Sequence, residues 1–345
     1  MTKFVQGWRK LSLLAILLTL SFSLAACDSS SATPTAVAAT TTVPPMATTS
    51  GATSSGKKLK VVATTTQLQD MAKNALGDNV ELIGILTADA DPHEYEPTAD
   101  DVRKLADADI ILRNGVELEK WMDKLIASSG SKASSVDCSR GIKLLTAGPD
   151  EPSGNPHVWF NPQNAKLMVD NIANAVSARD AAGAAAIKAS AEAYKAKIEA
   201  LDQYIQQQWN SKIPNPADRK LVTNHDAFGY YTDRYKLTFV GSIIPSIDTN
   251  YQPSAQELAA LVDKIKSSGV KAIFLESSIN PQVSQQIAKD AGVKVVDGAL
   301  YGDTLGPADS PGGTYLGMMR YDTDLMIAGM TGQEMPATAT PTATR

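Results

Sequence analysis

Residues 181–212 read AAGAAAIKASAEAYKAKIEALDQYIQQQWNSK, with no proline and no strand signal. Ala, Lys, Glu, Gln and Leu dominate the stretch, and these residues lose little on entering a helix. Asp180 stands before it as a cap, and Ile213-Pro214-Asn215-Pro216 ends it. At about 1.5 Å per residue the 32 residues extend about 48 Å, longer than one small lobe is wide. A coiled coil is the alternative, but Ile187, Tyr194, Ile198, Leu201 and Ile205 keep no strict heptad. The stretch reads as a spine joining two lobes.

On both sides of the spine, strand-like and helix-like runs alternate. Before it come the runs Leu59 to Thr64, Val80 to Leu86, Asp109 to Arg113 and a fourth reaching Cys138, with a Thr98-capped helix among them. After it come Lys220 to Asn224, Leu237 to Ser242, Val270 to Leu275 and Val293 to Val296, with helices between, one capped by Ser254. Such alternation predicts parallel, helix-covered sheets. The expected fold is α/β: two (β/α) lobes with mainly parallel sheets and separate cores, joined by one long rigid α-helix.

The flanks have another character. Lys3, Arg9 and Lys10 precede the apolar run Leu11 to Ala26, which is short for a membrane span and ends in Leu24-Ala25-Ala26-Cys27. This order resembles a bacterial lipobox, which implies cleavage after residue 26, lipid on Cys27 and a membrane tether outside the cytoplasm. Residues 28–56 are mostly Ser, Thr, Ala, Pro and Gly, too apolar-poor to fold. The chain therefore divides into a signal segment (1–26), a lipidated, disordered tether (27–56), an amino-terminal lobe (57–180), the spine (181–212), a carboxy-terminal lobe (213–333) and a disordered tail (334–345). Losing residues 1–26 moves the formal charge from −5 to −8, which argues against a nucleic-acid partner. With Cys27 acylated, Cys138 has no partner for an internal disulfide and reads as a buried, inert thiol.

The chain holds three histidines, His93, His157 and His225. His93 and His225 follow predicted strands, as does Asp303, while His157 precedes the first helix after the last strand of the first lobe. Ligands of parallel α/β lobes bind beyond the carboxyl ends of the strands, so all four can face one another across a cleft. Three imidazoles and a carboxylate suit a divalent transition metal, zinc above all. Taken singly, a loop histidine is more often solvated or capping, and separations of 64 and 68 residues match no local zinc motif.

Asp91-Pro92-His93-Glu94-Tyr95-Glu96-Pro97-Thr98, followed by Asp101-Val102-Arg103-Lys104-Leu105, resembles the signature of the solute-binding lipoproteins of zinc and manganese ABC importers (family 9, cluster A-I). The likeness continues through Asn114-Gly115, Asn155-Pro156-His157-Val158-Trp159-Phe160-Asn161-Pro162 and His225-Asp226-Ala227-Phe228-Gly229-Tyr230. It ends with Leu300-Tyr301-Gly302-Asp303-Thr304-Leu305-Gly306 and Tyr315-Leu316-Gly317-Met318-Met319-Arg320-Tyr321, covering essentially the whole domain.

The resemblance implies a non-enzymatic, monomeric receptor that takes its metal through His93, His157, His225 and Asp303 and delivers it to an ABC permease and its ATPase. Members with Glu at the third ligand are associated with manganese, so His225 points to Zn(II), with Mn(II) as the alternative. Glu276, at a strand end, is a candidate for holding a ligand imidazole. Glu94 and Asp226 read as helix N-terminal acids, and Trp159 and Tyr95 as packing that shields the site. The pattern departs from the family in two places: residues 94–156 hold no histidine-rich loop, and Asn155 and Asn161 stand where aspartate is common. Two other classes remain, a zinc hydrolase using a metal-bound water and a cell-surface adhesin with structural metal, although no His-Glu-x-x-His helix is present. A continuous spine predicts modest lobe movement rather than wide closure.

Overall fold

The computed structural model describes residues 57–146 and 152–336. The signal segment, Cys27, the tether to residue 56 and the tail beyond residue 336 lie outside the described residues.

The amino-terminal sheet is built from β1 (Leu59–Ala63), β2 (Val80–Gly84), β3 (Ile110–Arg113) and β4 (Ser134–Asp137), in the order β2-β1-β3-β4. Every pairing is parallel, with Val61 opposite both Leu82 and Ile110. The period of two decides which face each residue serves. Val61, Ala63, Ile110 and Leu112 enter the main core, while Val62 and Ile111 enter a smaller cluster with Leu105, Met122 and Leu125. That smaller cluster lies under α2 (Ala99–Ala106) and α3 (Met122–Ser129), and α1 (Thr66–Leu76) covers the other face. Thr98 caps α2 in a reciprocal box with Asp101. Leu118 to Ala127 reads as helical from its sequence, but α3 starts at Met122, four residues later. Gly115, Val116 and Glu117 all have positive φ, and the turn they form sends Glu119 inward instead of continuing a helix from Leu118.

The carboxy-terminal lobe repeats the plan. β5 (Lys220–His225) pairs in parallel with β6 (Thr238–Ile244), and β7 (Ala272–Glu276) with β8 (Lys294–Leu300). Strands β5 and β7 run side by side, but among the described residues no backbone ladder joins them. Side chains stitch their carboxyl ends instead. Asn224 Oδ1 accepts from Glu276 N at 2.8 Å, and Glu276 Oε1 accepts from His225 N at 2.9 Å. Helices α6 (Gly229–Tyr235), α7 (Ala255–Ser268), α8 (Gln282–Ala291) and α9 (Tyr315–Thr331) complete the lobe, and Ser254 caps α7 in a second box with Glu257. Helix α9 lies so close to the sheet that a side chain at Gly329 would meet Phe274 and Val296 at 2.6 Å.

Between the lobes, α4 (Pro162–Ser177) leads into α5 (Ala184–Lys212), the spine, 29 residues and about 44 Å long. Asp180 does not cap it. Its Oδ1 accepts from Gly183 N and closes a separate turn, so the helix begins three residues later than the composition suggests. Ile187, Ala191, Tyr194, Ile198, Leu201, Ile205 and Trp209 form its buried stripe, in steps of three and four, against α1, α4 and α9. The expectation of two separate cores is corrected here. One core runs from Val61 through Trp159, Ile198 and Trp209 to Phe274 and Met318, and the outer clusters of the two lobes are satellites. Polar ties reinforce it on both sides: Tyr194 donates to Asp70, Trp209 to the Tyr231 hydroxyl, and Arg234 is paired with Asp202.

Candidate metal centre

The three histidines and Asp303 meet. One ligand atom from each lies within 4.8 Å of all the others, and this is so although the residues come from four separate segments. His93 stands in the irregular segment between β2 and α2, and His157 opens the turn before α4. His225 is the last residue of β5, and Asp303 lies in the loop after β8. His157, His225 and Asp303 are fully buried, and the His93 side chain is 4 % exposed.

His157 Nε2 lies 3.4 Å from His93 Nε2 and 3.3 Å from His225 Nε2. Asp303 presents both oxygens to the cluster, at 3.1 Å from His157 Nε2, 3.3 Å from His225 Nε2 and 3.8 Å from His93 Nε2. A tetrahedron of bonds about 2.05 Å long has edges of about 3.3 Å, so these separations fit a zinc-sized ion at the centre.

The groups behind the imidazoles decide which nitrogen faces inward. Asn155 Oδ1 accepts from His157 N at 3.0 Å, which fixes the amide orientation, and the same oxygen lies 2.8 Å from His157 Nδ1. An oxygen there requires Nδ1 to carry the proton, leaving the Nε2 lone pair for the centre. Glu276 Oε2 lies 2.8 Å from His225 Nδ1, close enough to pair with it although not aligned as a hydrogen bond. Gly302 makes room for this carboxylate, since a side chain there would approach Oε2 to 2.1 Å. The role of Asn155, placed in doubt by the absence of an aspartate, is thus filled by its amide oxygen. Asn161 has a different task and caps α4 by accepting from Gln163 N.

Burial dominates the protonation of the set and is opposed unequally. It lowers His93 to about 4, despite the attraction of Asp303, and it lowers His157 as well. His225 is equally buried, but Glu276 and Asp303 outweigh the desolvation and hold it well above the usual imidazole range. Burial raises Asp303, yet His225 and His157 outweigh it and keep the carboxyl well below its usual value. Neither Asp303 oxygen has an aligned hydrogen bond among the described residues. A buried carboxylate facing converging imidazole nitrogens calls for a cation.

Other expectations divide. Trp159 packs its ring edge-on against His157 at 5.4 Å. Tyr95 stacks on Trp121 instead, and Trp121 Nε1 donates to Pro92 O, so this pair braces the His93 segment from outside. Neither Glu94 nor Asp226 is a helix N-terminal acid: the first turn of α2 holds Asp100 and Asp101, and α6 begins at Gly229. Cys138 is fully buried, and burial raises its thiol well above the ordinary value, as an inert cysteine requires. Sequence reasoning missed Gln67, whose Nε2 donates to Asp303 O at 2.9 Å, and the rim pair Lys120–Asp248 at 2.8 Å across the cleft.

Residues 61–329 match the family described as "Zinc-uptake complex component A periplasmic". The chain belongs to this family. It is a substrate-binding component of a metal ABC transporter, a receptor rather than an enzyme. Among its relatives is the iron-binding protein YfeA of Yersinia pestis, 34 % identical over 78 % of this chain and 86 % of that one. Another is the manganese ABC transporter substrate-binding lipoprotein PsaA of Streptococcus mitis, 30 % identical over 79 % and 89 %. The fold is shared with the periplasmic zinc-binding protein TroA from Treponema pallidum, with a TM-score of 0.74, 29 % identity and coverage of 79 % and 99 %. That likeness agrees with the two-lobe α/β architecture and its long helix.

Proposed function

We propose that this receptor captures Zn(II) through His93, His157, His225 and Asp303 and delivers it to the permease and ATPase of an ABC importer. The carrying observation is the donor set: three imidazole nitrogens to one carboxylate, at separations close to the edges of a zinc tetrahedron. Nitrogen-rich sites favour zinc over the harder manganese. The amide of Asn155 and the carboxylate of Glu276 orient two of the imidazoles from behind. The chain works as a monomer outside the cytoplasm, held to the membrane by lipid on Cys27, with its two lobes flanking the helix Ala184–Lys212.

Manganese is the second reading, favoured by the metal named for the Streptococcus relative. Native mass spectrometry with elemental analysis, on protein purified without added metal and then offered equimolar Zn²⁺ and Mn²⁺, separates the two. One bound zinc supports the proposal. Manganese retained against equimolar zinc overturns it.

A further inference from the structure

We infer that Gln67 is a positioning residue that fastens Asp303, a residue of the carboxy-terminal lobe by chain order, to the amino-terminal lobe. The inference rests on the metal-site reading above.

Asp303 belongs by chain order to the carboxy-terminal lobe, in the loop that follows β8. Its backbone is held elsewhere. Gln67, fully buried in the first turn of α1, donates from Nε2 to Asp303 O at 2.9 Å. Two residues on, Leu305 N donates to Thr66 Oγ1 at 2.8 Å, and that hydroxyl lies 3.3 Å from Gln67 Oε1. One helical turn thus grips the loop on both sides of Thr304. Among the described residues, no backbone hydrogen bond ties residues 303–305 to their own lobe. The carboxy-terminal lobe's hold stops earlier, where Tyr301 N donates to Asp322 Oδ1 at 3.0 Å.

His225 is the opposite case. It ends β5, and its N–H donates to Glu276 Oε1, so it moves with the sheet of its own lobe. Other bonds cross between the lobes near the site: Tyr230 donates its hydroxyl to Asn155 O at 2.9 Å, Asn155 Nδ2 lies 3.5 Å from Asp226 O, and the exposed pairs Asn250 Nδ2 to His93 O and Lys120 to Asp248 are correspondingly weak. Chain order therefore assigns Asp303 to the carboxy-terminal lobe, while its backbone bonding fastens it to the amino-terminal one. Gln67 is the side chain that makes the difference, because it is bonded to Asp303 itself, whereas Thr66 holds Leu305.

The test uses Gln67→Met, which keeps the volume and removes the donor, with Co²⁺ as a coloured probe and Zn²⁺ for kinetics. Loss of one buried hydrogen bond predicts a zinc off-rate, read by chelator chase, about three- to tenfold faster. The visible Co²⁺ spectrum is expected to shift in the direction produced by Asp303→Asn. Thr65→Ala controls for a loosened helix: it removes the α1 cap and leaves the Gln67 donor in place, so it should lower the melting temperature without moving the spectrum. A Co²⁺ spectrum and off-rate unchanged by Gln67→Met overturn the inference, as does an equal spectral shift from Thr65→Ala. Should Gln67→Met not fold, Gln67→Glu, which sets an acceptor against the Asp303 carbonyl, must give the same shift. If Asp303→Asn itself leaves the spectrum unchanged, the metal-site reading fails instead.

Discussion

Replacing Glu276 by Gln removes one charge from behind His225 with almost no change in volume. Glu276 Oε2 lies 2.8 Å from His225 Nδ1. Across the ring and one coordination bond, an ion on Nε2 sits about 7 Å from that oxygen. Two charges arrive with the ion, but at neutral pH one leaves, because Glu276 and Asp303 keep a proton on His225 in the metal-free protein. The net gain is one charge. At an effective dielectric of about 20, one charge at about 7 Å is worth about 2.4 kcal/mol. That is about fifty-fold in affinity, inside the range of about 10- to 100-fold typical of residues that support a metal ligand. Competition with a chelator of known zinc affinity measures it. Calorimetry in buffers of different ionisation enthalpy counts the proton, which we expect to be released by the wild type and largely absent from the variant near neutral pH. An affinity within about twofold of wild type, with the same proton release, refutes the electrostatic reasoning.

Asn155→Asp places a carboxylate against His157 Nδ1, where the amide oxygen now lies at 2.8 Å, and should tighten zinc binding about tenfold in the same competition assay. In the metal-free protein, His93 should subtract stability as pH falls from 6.5 towards about 4. The unfolded chain takes up a proton at His93 near 6.5, while the folded protein resists until about 4, so this group's contribution favours unfolding across that window. His157 adds in the same direction, and His225, raised, contributes stability that is constant below 6.5 and lost only as pH rises through its folded value. Thermal melts of metal-free wild type and His93→Gln, compared over this window, check the sign: the variant should gain on the wild type as pH falls.

The alternation of short apolar runs with helical stretches made the two lobes legible, because a period of two or 3.6 is written locally. The spine was legible for the same reason, yet its start was not. Asp180 and Gly183 form a turn that competes with the cap, and composition alone does not say which wins. The four proposed ligands were legible through their flanking motifs, since strand ends and loops that present ligands keep recognisable neighbours. What holds them was harder to see. Gln67 lies 236 positions from Asp303, and Asn155 works through an amide oxygen where a carboxylate was sought. The shared core was invisible for a related reason. Which face of α5 meets α1 and which meets α9 is a fact of packing, and the stripe of Ile187 to Trp209 states that a face is buried without naming its partner.

Charge balance constrains binding of any dication in this site, beyond what donor type demands. Asp303 and Glu276 bring two negative charges to a fully buried cluster, so a dication leaves the set neutral, and uncompensated charge is what burial penalises. Changing His225 to Glu makes the donor set richer in oxygen, which by ligand chemistry favours manganese. Here the substitution alone should fail. It sets a new carboxyl group beside Glu276, where His225 Nδ1 now lies at 2.8 Å, and two carboxylates at such range cannot both ionise. The single variant should keep a proton in the site and bind both metals weakly at neutral pH. Adding Glu276→Gln restores two negative charges around the ion and should recover binding with the preference shifted towards Mn²⁺. A single variant that already binds Mn²⁺ as tightly as the double variant would show that donor type outweighs charge in this site.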